Sequence, residues 1–183
     1  KVEGEAAFYG PKLDFMFKDA IGREHQLATI QLDFNLPERF DLHFINEDNK
    51  EERPVVIHRA IAGSLERNMG VLIEHFAGKF PLWLNPNQIM VLPVSEQYLE
   101  YAKEVQNTLT KLDLRADLDE SSETVSKKVR NATMQYYNYI LVVGEKEQAG
   151  KTVTIRIRDV EEQVAKSLKQ FATDAKSEYD ERR

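Results

Sequence analysis

Cysteine is absent from all 183 residues. This stretch therefore supplies no disulfide, no thiolate nucleophile and no cysteine-ligated metal. Long apolar runs are missing as well: none approaches the roughly 18–20 residues of a membrane span, and no charged-then-apolar leader opens the chain. Excess positive charge is also lacking. A net charge of −6 argues against a nonspecific nucleic-acid coat, because neutralising phosphates takes clustered Lys and Arg. A local basic surface on an acidic body stays open. There is no internal repeat and no low-complexity tract. What remains, 42% hydrophobic and 31% charged, is the composition of an ordinary globular chain. Its length suits one large domain or two small ones, and the lack of cysteine suits the cytosol.

Residues 12–46 read as extended. Leu13–Phe17, Leu27–Asn35 and Leu42–Ile45 are alternating or continuous apolar runs separated by turn-prone residues such as Gly22 and 46–49. Short strands without a helical insert predict an antiparallel sheet. A long helix is expected from about Ala60 to Phe76. Ile61, Leu65, Met69, Leu72 and Phe76 would form its buried stripe, with Gly78 as its stop. Two prolines in 80–87 break both periodicities, and beyond them strand and helix alternate. Ile89–Val94, Arg115–Asp119, Tyr139–Gly144 and Thr152–Arg158 are the strands. Helices carry Tyr98/Ala102/Val105/Leu109/Leu112, then Val125/Val129/Ala132/Tyr136, then Val164/Leu168/Phe171 from about Val160. Alternation of this kind predicts a mostly parallel sheet with helices on both faces. Two domains of different class are expected, 1–86 and 87–183. The first offers too few strands to close a core, and reads as the end of a larger domain.

Candidate site residues follow from chemistry and position. Arg67 lies between Gly63 and Gly70, opposite the apolar stripe. A flat, permanently charged fork suits phosphate or a purine face, although pattern alone favours close packing with Arg67 solvated. His58 ends the run Val55–Ile57; an imidazole there can hold zinc, or be a satisfied structural residue. Gln26 and Gln31 are an odd number of residues apart, so they face opposite ways unless a bulge intervenes. Phe8-Tyr-Gly-Pro-Lys12 reads as a turn with an exposed Lys. Lys127, Arg130 and Asn131 lie away from their helix's apolar side, as a solvated face would. Glu147 follows a strand at its C-terminal edge, where open α/β sheets bind ligands. With Arg156 it can read base edges or form a surface ion pair.

Taken in order, the strings carry more than their parts. Phe8-Tyr-Gly-Pro-Lys12, 25–37 (HQLATIQLDFNLP), Val55-Val-Ile-His-Arg-Ala-Ile61 and Gly63-Ser-Leu-Glu-Arg67 closely resemble threonyl-tRNA synthetases, class II enzymes. The last string resembles their motif 3, and Trp83-Leu-Asn-Pro86 resembles the junction with their anticodon-binding domain. Residues 142–147 and 153–156 resemble that domain's reading strands. The resemblance implies a mixed α/β chain. It would comprise the C-terminal part of an antiparallel catalytic sheet with a long motif 3 helix, then a three-layer α/β/α anticodon-binding domain. It also implies ATP-dependent activation of threonine and its transfer to tRNA(Thr), in a cytoplasmic homodimer. Arg67 would be catalytic and hold ATP with Ser64 and Gln26, and Mg²⁺ would accompany the nucleotide. Tyr9, Lys12 and Gln31 would line the threonine pocket, Lys12 with a catalytic part. His58 would be one of three protein ligands of a zinc ion. Glu147 and Arg156 would read the anticodon, with Lys127 and Arg130 on the tRNA backbone. Two departures are Leu27, where some members have cysteine, and Asn68, where an aromatic residue is usual. Motifs 1 and 2, the other two zinc ligands and an editing domain are expected upstream of Lys1. By itself the chain would then be a tRNA-binding module or an inactive fragment or paralogue.

Overall fold

A computed structural model describes residues 7–182. They form two compact units divided between Ala77 and Gly78. The division precedes the prolines of 80–87, because Leu82 is fully buried in the second unit's core.

In the first unit β1 (Lys12–Lys18), β2 (Glu24–Asp33) and β5 (Val56–Ala60) form an antiparallel sheet in the order β1-β2-β5. The strand expected to reach Asn35 stops at Asp33, whose carboxylate accepts from the N–H groups of Asn35 and Leu36 and so starts α1 (Asn35–Arg39). Only two residues of the run 42–45 join a ladder, as β3 (Phe44–Ile45) with β4 (Glu51–Glu52).

Helix α2 (Leu65–Phe76) is shorter than its periodicity suggests. Ala60 ends β5, Ile61 lies outside the helix, and Gly63 turns the chain with φ +62° before Ser64 caps α2. Only the second half of the expected stripe is covered: Leu72 and Phe76 are half-buried and Val71 is buried beside them, whereas Leu65 and Met69 are 66% and 52% exposed. Leu13, Phe15, Phe17, Ile30 and Ile57 are exposed too, so this sheet leaves an apolar surface uncovered.

The second unit is closed. Its sheet runs β10-β9-β8-β6-β7, built from β6 (Ile89–Pro93), β7 (Ala116–Leu118), β8 (Tyr139–Val143), β9 (Thr152–Ile157) and β10 (Gln163–Ser167). β6 is parallel to β7 and β8, but β9 and β10 are antiparallel additions, so the sheet is mixed rather than mostly parallel. The difference arises because β8, β9 and β10 follow one another through short connections instead of full crossover helices. One such connection is α5 (Glu145–Gly150). Val164 accordingly lies in β10, and the last helix, α6 (Leu168–Asp180), starts at the Ser167 cap rather than near Val160.

Period-2 alternation sorts the core. Ile89, Val91, Leu141 and Val143 meet α3 (Leu99–Thr110) and α6 through Ala102, Val105, Leu109, Phe171 and Ala172. Leu92 and Ile140 face the other way, onto Ala132 of α4 (Val125–Met134).

Gln88 ties the sheet's edge to the preceding loop. It is fully buried, donating to the Leu82 carbonyl and accepting from the Arg115 N–H, each at 2.7 Å. Gln88→Leu would strand both backbone groups, so urea unfolding followed by Trp83 fluorescence should show a loss of about 2–4 kcal/mol. A loss below about 1 kcal/mol would mean that the two groups find other partners.

Candidate functional site

A bulge in β2 organises the first unit. Phe15 lies opposite Ala28 and Met16 opposite Gln26, so Leu27 has no opposite number. The extra residue reverses the alternation of everything before it. Gln26 and Gln31 are therefore brought to one face despite their odd separation. Register places Lys12 opposite Gln31, and Gln31 opposite His58.

The face so formed is polar and interconnected. Asp14 accepts from Gln26 Nε2 and Thr29 Oγ1, both at 2.7 Å, and pairs with Lys12 Nζ at 2.8 Å. The hydrogen bond from Lys12 and that from Thr29 hold its carboxyl below the usual range. His58 Nε2 lies 2.9 Å from Asp33 Oδ2. This contact, with the N–H donors of Leu36 and Asn35, keeps the Asp33 carboxyl low as well. The Tyr9 ring stands edge-on to His58, centroids 6.1 Å apart.

The bulge also receives the start of α2. Arg67 Nη1 donates to the Gln26 carbonyl at 3.1 Å, and Ser64 Oγ accepts from the Arg67 N–H at 3.1 Å. A Cβ on Gly63 would lie 2.4 Å from the Leu27 carbonyl oxygen. Gly63 is thus a turn residue in close contact with β2, outside the helix that carries Arg67. Among the described residues no group of three or more His, Asp or Glu side chains is set to hold a metal. A metal at His58 would need its other ligands from outside this set.

In the second unit the parallel strands end at Pro93, Leu118 and Val143. A cleft of ≈ 440 Å³ lies there, lined in part by Ser95, Glu120, Ser122, Glu123 and Lys128. Lys127 pairs with Glu123 at 2.7 Å, and Arg130 is exposed on the same helix. Glu147 is gripped from two sides: Oε2 accepts from the Gly144 N–H at 3.0 Å and Oε1 from Thr154 Oγ1 at 2.8 Å. Thr154 and Arg156 alternate onto one face of β9, so the Glu147 carboxylate is held beside the strand that carries Arg156.

Sequence reasoning missed Asp14, Asp33, Thr154 and Lys128. Lys128 is buried and donates to the Asp119 carbonyl at 3.1 Å. Its spacing from Val125 and Ala132 already places it on the inner side of α4. Asp14 and Asp33 are each two residues from a chosen neighbour, Lys12 and Gln31, and share their faces.

Both units are similar to known proteins. Residues 2–76 match the tRNA synthetase class II core domain (G, H, P, S and T), and residues 88–178 match an anticodon binding domain. A threonine–tRNA ligase of Thermus thermophilus is 54% identical over 99% of the chain. The chain belongs to the threonyl-tRNA synthetase family. The ligase of Phocaeicola vulgatus is 57% identical over 85% of the chain. The chain spans 28% of the first relative's length and 24% of the second's, about a quarter of a threonine–tRNA ligase. The crystal structure of the RNA binding domain of a Cryptosporidium parvum threonyl-tRNA synthetase superposes with a TM-score of 0.86 at 46% identity. It covers 95% of this chain and 44% of that one. A prolyl-tRNA synthetase from the same organism, 21% identical with a TM-score of 0.70, shares the fold over 99% of this chain and 39% of its own.

The join between bulge and helix is testable. Gly63→Ala puts a Cβ against the Leu27 carbonyl at φ +62° and should lower hydrogen-exchange protection of the Arg67 amide and the first turn of α2. Gly70→Ala, in the helix interior with no heavy atom within 4 Å of the added Cβ, should raise protection instead. Equal effects of the two would show that the Gly63 turn does not hold α2 on the bulge.

Proposed function

We propose that the chain is part of an ATP-dependent threonine–tRNA ligase. Its first unit would contribute one wall of the active site and its second unit would read the anticodon. The observation that carries this is the Leu27 bulge, which sets Lys12, Gln26, Gln31 and His58 on one polar face beside Arg67. Arg67 offsets charge on the polyphosphate while the threonine carboxylate attacks the α-phosphorus, giving the adenylate and pyrophosphate. Gln26 and Ser64 contact the nucleotide, which Mg²⁺ accompanies. Ser64 accepts from the Arg67 N–H, so its own O–H remains to donate. Tyr9, Lys12 and Gln31 line the threonine pocket, with Asp14 holding Lys12 and Gln26 in place. His58 would be one ligand of zinc, the others coming from the longer protein. Bound zinc would take the amine and hydroxyl of threonine, and valine, lacking the hydroxyl, could not complete the coordination.

For the second unit we infer that Glu147 and Arg156 read anticodon base edges and that Lys127 and Arg130 contact phosphates. Fixing Glu147 through Thr154 supports this, because a preset carboxylate loses little freedom on binding. A cytoplasmic homodimer is the expected setting. Among the described residues no helix is long and apolar enough to cross a membrane. A narrower reading, that residues 1–183 alone only bind RNA, is favoured by the uncovered apolar surface of the first unit, which leaves it without a closed core.

Two measurements test these readings. Threonine-dependent ATP–pyrophosphate exchange should be undetectable with residues 1–183 alone, and measurable exchange would show that the catalytic unit is complete. Arg156→Ala should weaken binding of tRNA bearing threonine anticodons by about 1–3 kcal/mol and spare unrelated tRNAs. Equal loss across all tRNAs would make Arg156 a phosphate contact.

A further inference from the structure

Asp33 is a buried carboxylate, 2% exposed, and its two oxygens have separate partners. Oδ1 accepts from the N–H groups of Asn35 at 2.8 Å and Leu36 at 3.0 Å, the otherwise unpaired donors at the start of α1. Oδ2 lies 2.9 Å from His58 Nε2. Serine, threonine or asparagine would serve as well for the helix start. Burying a carboxylate is costly unless all its bonds are made, so the second oxygen, aimed at the imidazole, is what aspartate adds here.

An ionised carboxylate only accepts hydrogen bonds. The ring nitrogen facing it is therefore N–H, and in a neutral imidazole that leaves the lone pair on Nδ1. The ring is held as well as protonated at a chosen atom. Asp33 is fixed by the backbone of α1, His58 by its register opposite Gln31, and Tyr9 stands edge-on to the imidazole. The His58 side chain is 43% exposed, so its free edge remains accessible on the polar face.

We propose that Asp33 is the positioning residue for His58, holding the imidazole as the Nε2–H tautomer so that Nδ1 offers its lone pair to a zinc-like ion of borderline softness. This rests on the reading of His58 as a metal ligand. A carboxylate on the far nitrogen fixes ring orientation and raises ligand basicity, and losing such a partner typically weakens metal binding about 10–100-fold.

The tautomer is read directly from imidazole ¹H–¹⁵N correlations of ¹⁵N-labelled residues 1–183, at a pH where His58 is neutral. The expected pattern is a protonated Nε2 and a bare Nδ1. Asp33→Asn keeps an acceptor for the α1 start but offers an N–H₂ to the ring, and should move the proton to Nδ1. Asp33→Glu should restore the original pattern in part. In the longer enzyme that contains this chain, zinc retention against a competing chelator should fall about 10–100-fold in Asp33→Asn. A protonated Nδ1 in the unsubstituted chain, or zinc retention unchanged by Asp33→Asn, overturns the role of Asp33. The expected tautomer together with zinc retention unchanged in His58→Ala overturns the metal reading of His58 itself, and the proposal with it.

Discussion

The first unit depends on one irregularity, the unpaired Leu27 in β2. In a regular ladder Gln26 would face away from Gln31, and Asp14 could not bond Gln26 and Thr29 together. With the bulge, those groups join Lys12 and His58 on one face. The same displacement turns the carbonyls of Gln26 and Leu27 toward the chain entering α2, where Arg67 donates to one and Gly63 packs on the other. Sheet and helix are thus joined at Arg67, the residue proposed to hold the nucleotide. Bulges bend a strand and re-aim its side chains, and here both effects serve the same site.

The second unit works from regularity instead. Strict alternation in β6 and β8 feeds two separate cores, one against α3 and α6 and one against α4. Thr152, Thr154 and Arg156 alternate with the buried Val153 and Ile155 and stay half-exposed on the other face of β9. Glu147 has a structural part beside its proposed reading role. Its carboxylate closes the turn at Gly144 and bonds Thr154, and so stays fixed beside Arg156's strand. The contrast between the units is one of covering. The second has a core of fully buried apolar side chains, whereas the first buries few and exposes Leu13, Phe15, Ile57 and Leu65. A sheet and helix of that kind gain little from the hydrophobic effect until something covers them.

Much of this was legible in the sequence. The strands β1, β6, β8 and β9 follow from apolar runs bounded by turn residues. The family follows from ordered strings whose separate motifs are weak. The bulge was present only as a condition on Gln26 and Gln31, since register depends on pairing that no local pattern encodes. The start of α2 was misread because Ile61 continues the spacing of Leu65 and Met69, while the conformation of Gly63 ends it. Val164 was assigned to a helix because apolar residues four apart look alike in an edge strand and a helix start. Asp14 and Asp33 went unremarked because a carboxylate in a strand announces itself only once its partners are known.

The absence of cysteine makes the bulge directly measurable. In oxidising buffer the pair Met16→Cys with Gln26→Cys should form a disulfide readily, because the bulge sets these positions opposite each other. The pair Met16→Cys with Leu27→Cys should not. The reverse outcome, with Met16 bridging to position 27, would mean a regular ladder. Gln26 would then be removed from the face of Gln31 and His58, and the account of the site would be contradicted.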